Sequence, residues 1–392
     1  MRHSFGIFNR SFVNSIVVLY ICPDVSLGGS TRSLINMIES TSEKVKPIVL
    51  FPKYGPAVDY LRHEEVECIV SPFVLLHEFK RKSKSKPSEI ILHPWRLPFI
   101  KYIRTDFKCA YYVKSILKNR VIDIVHSNFS PITIGCILSK VLKAKHVWHI
   151  REFLDLNFKF DIYGGIPRLK RLINKADARI AISSAVRDHW HLKQANTWTL
   201  LNPICKKEEA CLYAEKEPYL LFCSHNLTEE KGARFTIQAF GASNLKDKGI
   251  RLRLVGNCNP QYLESLMQTA ENNNCADSID FYPLQDNVKN QFAKAKAFIM
   301  ASICEGLGRV TAEAMFYGCP VIARASGGTL DLVRDHETGY LFTTAEECAL
   351  LMNTVCNSDQ QSIIEPAQQF AINNLSQEVY GPRIMQIYQS IL

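Results

Sequence analysis

Residues 301–339 read ASICEGLGRVTAEAMFYGCPVIARASGGTLDLVRDHETG. The stretch starts at the end of a short apolar run, 297–301, crosses a loop holding Gly306 and Gly308, and turns helix-forming from Arg309 onward. A strand ending near Ala301, a helix beginning near Arg309 and a further apolar run at 320–323 have the pattern of a βαβ unit. Glu305 then falls in the connecting loop, and Glu313, seven intervening residues later, about one turn inside the helix. The loop glycines let the backbone approach a ligand closely, and N–H groups at a helix start suit a diphosphate. Two carboxylates beside such an anion site instead bind sugar hydroxyls, which are good donors.

Working outward, short apolar runs alternate with helix-length segments along the whole chain. In the first half they are 15–22, 47–51, 67–70, 123–126, 146–150, 179–182 and 198–201; in the second, 219–224, 251–256, 279–282, 297–301, 320–323 and 340–342. Both halves read as doubly wound α/β domains. A chain of 392 residues is also too long for one ordinary core. The expected division is an N-terminal domain over 1–205, a Lys- and Glu-rich linker over 206–218 closed by Pro218, and a C-terminal domain over 219–376. The tail, 377–392, carries Val379, Ile384, Ile387, Tyr388 and Ile391 at helical spacing and reads as a helix docked on the N-terminal domain.

The hydrophobic fraction, 47%, is ordinary for a globular protein. No apolar stretch reaches the ~20 residues that span a bilayer, so the expectation is a soluble or peripheral protein. Arg2 and Arg10 before the run 15–22 mimic a short signal peptide, but no small-x-small site follows and the run leads directly to the Gly-Gly start of a helix. The thirteen cysteines form no Cys-x-x-Cys pair and no zinc-like spacing, which points to a reducing cytosol and to no metal. The net charge of +9 is concentrated in 78–104, where Lys80, Arg81, Lys82, Lys84, Lys86, Arg96, Lys101 and Arg104 face only Glu78 and Glu89 before Ile90. With Trp95, Phe99 and Tyr102 interleaved, and with the aromatic stretch FLDLNFKFDIY at 153–163, this segment fits either an anionic membrane surface, at about 1 kcal/mol per basic residue, or a solvated loop. No nucleic-acid partner is expected.

The glutamate pair, followed in order by GCPVIA, GG and TGYLF, resembles the retaining glycosyltransferases of family 4. The resemblance covers most of the second half and, more thinly, the first. It implies the GT-B fold, two Rossmann-like domains facing each other across a cleft. It further implies that Glu305 contacts the donor sugar, Glu313 the ribose hydroxyls, and the N–H groups around Leu307 and Gly308 the sugar or phosphates. Relatives carry an Arg and a Lys that clamp the diphosphate, in a segment like NLTEEKG at 226–232; Lys231 is present, but Asn226 stands where Arg is expected. An Asn donates hydrogen bonds without neutralising charge, which makes Arg309 the candidate substitute, unless it is a surface ion-pair partner.

In the first half, Gly28-Gly29 follows the first strand and opens a helix with Leu34, Met37 and Ile38 on one side. The pair lets the loop approach donor phosphates or acceptor, as in the resembled family. His126 in DIVHSN and His149 in VWHIRE end two strands, where open α/β sheets bind ligands. His149 joins Glu305 as a candidate catalytic residue, with His126, Arg151 and Glu152 as acceptor contacts; structural roles for the two histidines stay open. The family's usual His-x-His here has Asn128 as its second member. No Asp-x-Asp occurs, so no metal or other cofactor is expected. The expected activity is transfer of a hexose or N-acetylhexosamine from a nucleotide-diphosphate sugar to a lipid-linked or polysaccharide acceptor, in the cytoplasm or at the inner membrane face. A binding or scaffold subunit derived from such an enzyme, or a GT-B sugar-nucleotide epimerase, are the rival readings.

Overall fold

The structure is a computed structural model and describes residues 15–75, 77–79, 96–156, 160–162, 165–210, 215–285 and 288–392. The chain divides into two compact units, Met1–Leu200 with Gly381–Leu392, and Leu201–Tyr380.

Among the described residues the first unit has nine strands: β1 (Ile16–Ile21), β2 (Val45–Phe51), β3 (Glu67–Val70), β4 (His77–Phe79), β5 (Ile124–Ser127), β6 (Lys145–Ile150), β7 (Phe160–Ile162), β8 (Ala178–Ala181) and β9 (Thr197–Thr199). Seven of them form one parallel sheet in the order β3-β2-β1-β5-β6-β8-β9. Strands rich in Val, Ile and Leu and buried on both faces are what a parallel sheet between helix layers requires. Leu19, Ile21, Ile48, Leu50 and Val125 of the sheet pack with Ala110, Val113 and Leu117 of the helix Arg96–Leu117 and with Leu138 of the helix Ile134–Leu142.

The second unit has β10 (Tyr219–Asn226), β11 (Arg251–Asn257), β12 (Ile279–Tyr282), β13 (Ala297–Met300), β14 (Val321–Arg324) and β15 (Tyr340–Phe342), all parallel in the order β12-β11-β10-β13-β14-β15. Its core joins Leu220, Leu252, Leu254 and Ile299 to Ile237 and Phe240 of the helix Ala233–Ala242 and to Leu266 of the helix Pro260–Asn272. Each apolar run read from the sequence is a strand. The antiparallel pair β4–β7 escaped, because three residues a strand leave no alternation to read. It overlaps the segments expected to touch a membrane, 78–104 and 153–163, of which 80–95, 157–159 and 163 lie outside the described residues.

The unit boundary falls before Leu201 rather than after Cys205, and as far as it is described the expected linker 206–218 belongs to the second unit. The cause is backbone pairing. Ile204 N–H donates to Leu375 O at 2.8 Å, Gln377 N–H to Cys205 O at 3.1 Å, and Lys207 N–H to the Glu378 carboxylate at 3.1 Å. Lys216 Nζ is held by the carbonyls of Ala293 and Gly318, both at 2.7 Å. The helix Gln377–Gln389 buries Ile384, Ile387 and Tyr388, and from Gly381 the chain belongs to the first unit. There it lies so close to the helix Gly29–Ser40 that a Cβ on Gly381 would meet Ser40 O at 2.1 Å. Among the described residues no helix is long and apolar enough to cross a membrane.

Candidate active site

In each sheet the strand order reverses at one place, between β1 and β5 in the first unit and between β10 and β13 in the second. The carboxyl ends of strands at such a reversal open a crevice that no connecting segment covers, and there ligands bind in open α/β sheets. Gly28, Gly29, His126, Lys231 and Glu305 lie on or just after the strands at these two places, and His149, Arg151 and Glu152 lie one strand further along, at the end of β6.

In the second unit, β10 ends at Asn226 and its loop runs to Lys231; β13 ends at Met300 and its loop runs to Gly308. The two loops are stitched together, with Ile303 N–H donating to Glu230 O at 3.0 Å and Ser302 Oγ to the same carbonyl at 3.3 Å. Gly232, which caps the helix Ala233–Ala242, has φ +83°, and a Cβ there would sit 2.3 Å from Ala301 O, so only glycine permits this contact. The result places Lys231 Nζ 2.6 Å from Glu305 Oε1. The Glu305 carboxylate beside it raises the Lys231 pKa, so Lys231 is a fixed positive charge at neutral pH. Asn226 is exposed at the rim.

Gly308 caps the helix Arg309–Phe316, with Leu307 buried before it and Glu313 on its second turn. Arg309 is not a free cation beside this loop. Its Nε donates to Glu313 Oε1 at 2.8 Å, and Nη2 and Nη1 donate to the carbonyls of Ile204 and Pro203 at 3.1 and 3.4 Å. The spacing of four between Arg309 and Glu313 was in the sequence; the carbonyls, about a hundred positions away, were not. Sequence reasoning also gave no role to Gly327 and Gly328. Gly328 N–H donates to Glu305 O at 2.8 Å, and a Cβ on Gly328 would lie 2.1 Å from Gly306 O. The double glycine therefore packs backbone against backbone behind the loop that carries Glu305.

In the first unit, the loop after β1 is organised by Asp24, whose Oδ1 accepts from Ser26 N–H at 2.9 Å and from Ser26 Oγ at 2.7 Å. Gly28 caps the helix Gly29–Ser40, and a Cβ there would lie 3.0 Å from Asp24 Oδ2; Gly29 has open space beside it. His126 and His149 end neighbouring strands and are both fully buried. Both ring nitrogens of His126 face protein groups: Nδ1 lies 2.8 Å from Tyr388 Oη, and Nε2 lies 3.3 Å from His149 Nδ1. His149 differs, since its Nε2 is buried with no hydrogen-bond partner among the described residues. Burial first, and the Arg151 charge second, push both histidines well below the usual imidazole range.

Arg151 and Glu152 point into the unit rather than out of it. Arg151 Nε donates to Asn128 Oδ1 at 2.8 Å, and Glu152 Oε1 accepts from Ser130 N–H at 2.8 Å. Burial raises the Glu152 carboxyl to about 7. Asn128 Nδ2 and Ser130 Oγ are, like His149 Nε2, buried and unpaired among the described residues, so the end of β5 and β6 concentrates unsatisfied polar atoms, which native interiors ordinarily pair.

Two family profiles match the chain: Glycosyltransferase Family 4 over residues 27–196, and Glycosyl transferases group 1 over residues 207–373. The chain belongs to glycosyltransferase family 4. Among curated members, an uncharacterized glycosyltransferase of Haemophilus influenzae is 25% identical over 202 residues, 49% of this chain; the chain spans little more than half of that protein's length, 56%. A Campylobacter jejuni protein, GalNAc-alpha-(1->4)-GalNAc-alpha-(1->3)-diNAcBac-PP-undecaprenol alpha-1,4-N-acetyl-D-galactosaminyltransferase, is 24% identical over 296 residues, covering 70% of this chain and 78% of its own. Of solved structures, Anabaena HepE in complex with UDP and glucose superimposes with a TM-score of 0.77 at 18% identity, over 96% of this chain and 100% of that one. The family member described here thus has the GT-B fold, with two parallel-sheet Rossmann-like units.

Proposed function

We propose that this family member is a retaining glycosyltransferase that moves a hexose or N-acetylhexosamine from a nucleotide-diphosphate sugar to a lipid-linked or polysaccharide acceptor. The observation that carries this reading is the 2.6 Å approach of Lys231 to Glu305 at the strand-order reversal of the second unit, beside the start of the helix Arg309–Phe316. A cation and a helix start suit a diphosphate, and a carboxylate suits sugar hydroxyls. In the transfer, the bond from the anomeric carbon to the diphosphate oxygen breaks while the acceptor hydroxyl attacks the same face. Its proton passes to a phosphate oxygen, and the enzyme contributes positioning and electrostatics without a metal or another cofactor. Glu305 contacts the sugar, Glu313 the ribose, Lys231 the diphosphate, and His149 the reacting sugar region.

Membrane contact on the cytoplasmic side is part of the same proposal, and its support extends beyond the basic segment. The helix Arg96–Leu117 exposes Phe107 at 44% and Tyr111 at 62% beside exposed Arg104 and Lys108, while its one acid, Asp106, is buried. Aromatic rings among cations, without exposed acids, suit an anionic leaflet. Co-sedimentation with anionic but not zwitterionic vesicles is expected; equal recovery with both would remove this part.

The deciding experiment is a thermal-shift screen of nucleotides and nucleotide sugars, followed by donor hydrolysis and transfer with and without EDTA. Stabilisation by one nucleotide diphosphate and hydrolysis of its sugar, unchanged by EDTA, is expected. Donor binding without any turnover would favour a scaffold subunit, a reading that Asn226 in place of the clamp Arg motivates. Activity lost to EDTA and restored by Mg²⁺ would end the metal-independent mechanism.

A further inference from the structure

A chain of buried polar groups in the first unit runs from the last helix to the end of β6. Tyr20 Oη and Tyr388 Oη are 3.3 Å apart, Tyr388 Oη is 2.8 Å from His126 Nδ1, His126 Nε2 is 3.3 Å from His149 Nδ1, and Arg151 Nη2 approaches that same His149 nitrogen at 3.4 Å. His149 Nε2 ends the chain without a partner among the described residues. Tyr388, His126 and His149 are all fully buried.

The proton positions follow from counting donors. A guanidinium only donates, so the His149 nitrogen facing Arg151 must offer its lone pair. His126 Nε2 approaches the same lone pair and must therefore carry a hydrogen. Burial and the Arg151 charge keep both rings neutral, with one proton each, which leaves His126 Nδ1 as an acceptor and the Tyr388 hydroxyl as its donor. The opposite direction would start with Tyr388 giving its proton to Tyr20. Tyr388 is placed to donate to Tyr20 at 3.3 Å, but His126 Nδ1 is the nearer acceptor at 2.8 Å, and the reversed chain would aim a His149 N–H at the Arg151 guanidinium.

We infer that Tyr388, acting through His126, and Arg151 are positioning residues that lock His149 as its Nε2–H tautomer, so that His149 presents a single, oriented donor to an oxygen of the bound substrate. The inference rests on the reading that His149 faces the substrate. It gives the last helix, from the far end of the sequence, a part in the chemistry at β6. An unpaired buried donor is unfavourable, and an oxygen acceptor in the substrate relieves that penalty. A neutral Nε2–H ring cannot serve as a base at that nitrogen, so the role of His149 is donation and not proton removal.

The test is nitrogen NMR of the full-length protein labelled at histidine, with long-range proton correlations that separate protonated from bare ring nitrogens. At neutral pH, His126 and His149 are both expected with protonated Nε2 and bare Nδ1; a His149 found as Nδ1–H or as imidazolium would overturn the lock. In Tyr388→Phe, an Nδ1–H population of His126 is expected to appear, and turnover to fall roughly threefold or more at a nearly unchanged KM for the donor, because the transition state loses an oriented donor. Should Tyr388→Phe fail to fold, Arg151→Met serves, with His149 expected to become a mixture of tautomers. Wild-type turnover in a variant whose tautomers have shifted would overturn the positioning role. A wild-type protein with the expected tautomers but no transferase or hydrolase activity would instead sink the proposed function and leave the lock standing.

Discussion

Arg309 Nε donates to Glu313 Oε1 at 2.8 Å, one turn along the same helix, while its other two nitrogens hold the carbonyls of Pro203 and Ile204. Both side chains are mostly buried, at 18% and 16% exposure, so this is not a loosely solvated surface pair. The sequence offers Arg309 as a replacement for the phosphate-clamping arginine that Asn226 displaces. The geometry gives it different work, which is to fix the rotamer of the glutamate assigned to the ribose and to brace the start of the second unit.

Arg309→Ala is therefore expected to act through Glu313. The transfer efficiency kcat/KM should fall about tenfold, ~1.4 kcal/mol, mainly as a raised KM for the donor, because ribose contacts are made equally in ground and transition states. The decisive comparison is the double mutant: Arg309→Ala with Glu313→Gln should be little worse than Glu313→Gln alone, as residues that work as a unit are non-additive. Losses that simply add, or a loss confined to kcat, would return Arg309 to the phosphate clamp.

Lys231 and Glu305 form the other pair, and a bound donor is expected to part them, the amine turning to phosphate and the carboxylate to the sugar. Lys231→Ala and Glu305→Ala should each cut turnover at least tenfold, about 1.4 kcal/mol of transition-state stabilisation, with the fold intact by circular dichroism. Soluble, folded variants that turn over like wild type would defeat the donor-site assignment. Diphosphate charge grows as the glycosidic bond breaks, so the lysine defect should appear in kcat more than in KM.

What the sequence made legible follows physical range. Strands such as β1 and β13 stand out because burial on both faces demands uninterrupted apolar runs, and the loop carrying Glu305 because glycine spacing and helix onset are local. Contacts made across long separations left no such trace. Tyr388 and His126 are 262 positions apart, and in the sequence Tyr388 is one more apolar residue at helical spacing. Arg151 and Glu152 are expected from the sequence as acceptor contacts, since charged side chains are rarely buried unless paired; their partners, Asn128 and Ser130, became visible only once β5 and β6 were side by side.

The burial of Glu152 makes a pH prediction. Its carboxyl is raised from the ordinary value of 4.5 to about 7, so the folded protein holds this proton more tightly than the unfolded chain does. The stabilisation is full at pH values below 4.5 and is lost as pH rises through about 7. Glu152→Gln keeps the shape and cannot ionise. The stability of wild type relative to this variant should decline between about pH 5 and 7.5, by an amount on the order of 1 kcal/mol per pH unit at the steepest. Urea midpoints of both proteins across that range test it; a constant difference would mean that Glu152 is already ionised in the fold.

The glycines separate packing from ligand approach. Gly328 presses on the loop of Glu305, and an added Cβ would meet Gly306 O at 2.1 Å and the Leu307 Cα at 2.7 Å, both backbone atoms that can yield only by moving the loop. Gly328→Ala should therefore destabilise the protein by about 1–3 kcal/mol, the usual range for overpacking, and reduce transfer as the loop shifts. Gly29 is the contrast, being the first residue of its helix with nothing within 4 Å of a new Cβ. Since alanine is the better helix former, Gly29→Ala should leave stability unchanged or improve it by up to ~1 kcal/mol. Any loss of transfer in Gly29→Ala must then come from a ligand that needs the space, as expected if the loop after β1 approaches donor or acceptor. The experiment is a urea titration of both variants beside a transfer assay. A Gly29→Ala protein as active as wild type would remove Gly29 from the binding surface, and a Gly328→Ala protein as stable as wild type would show that the double glycine does not buttress the Glu305 loop.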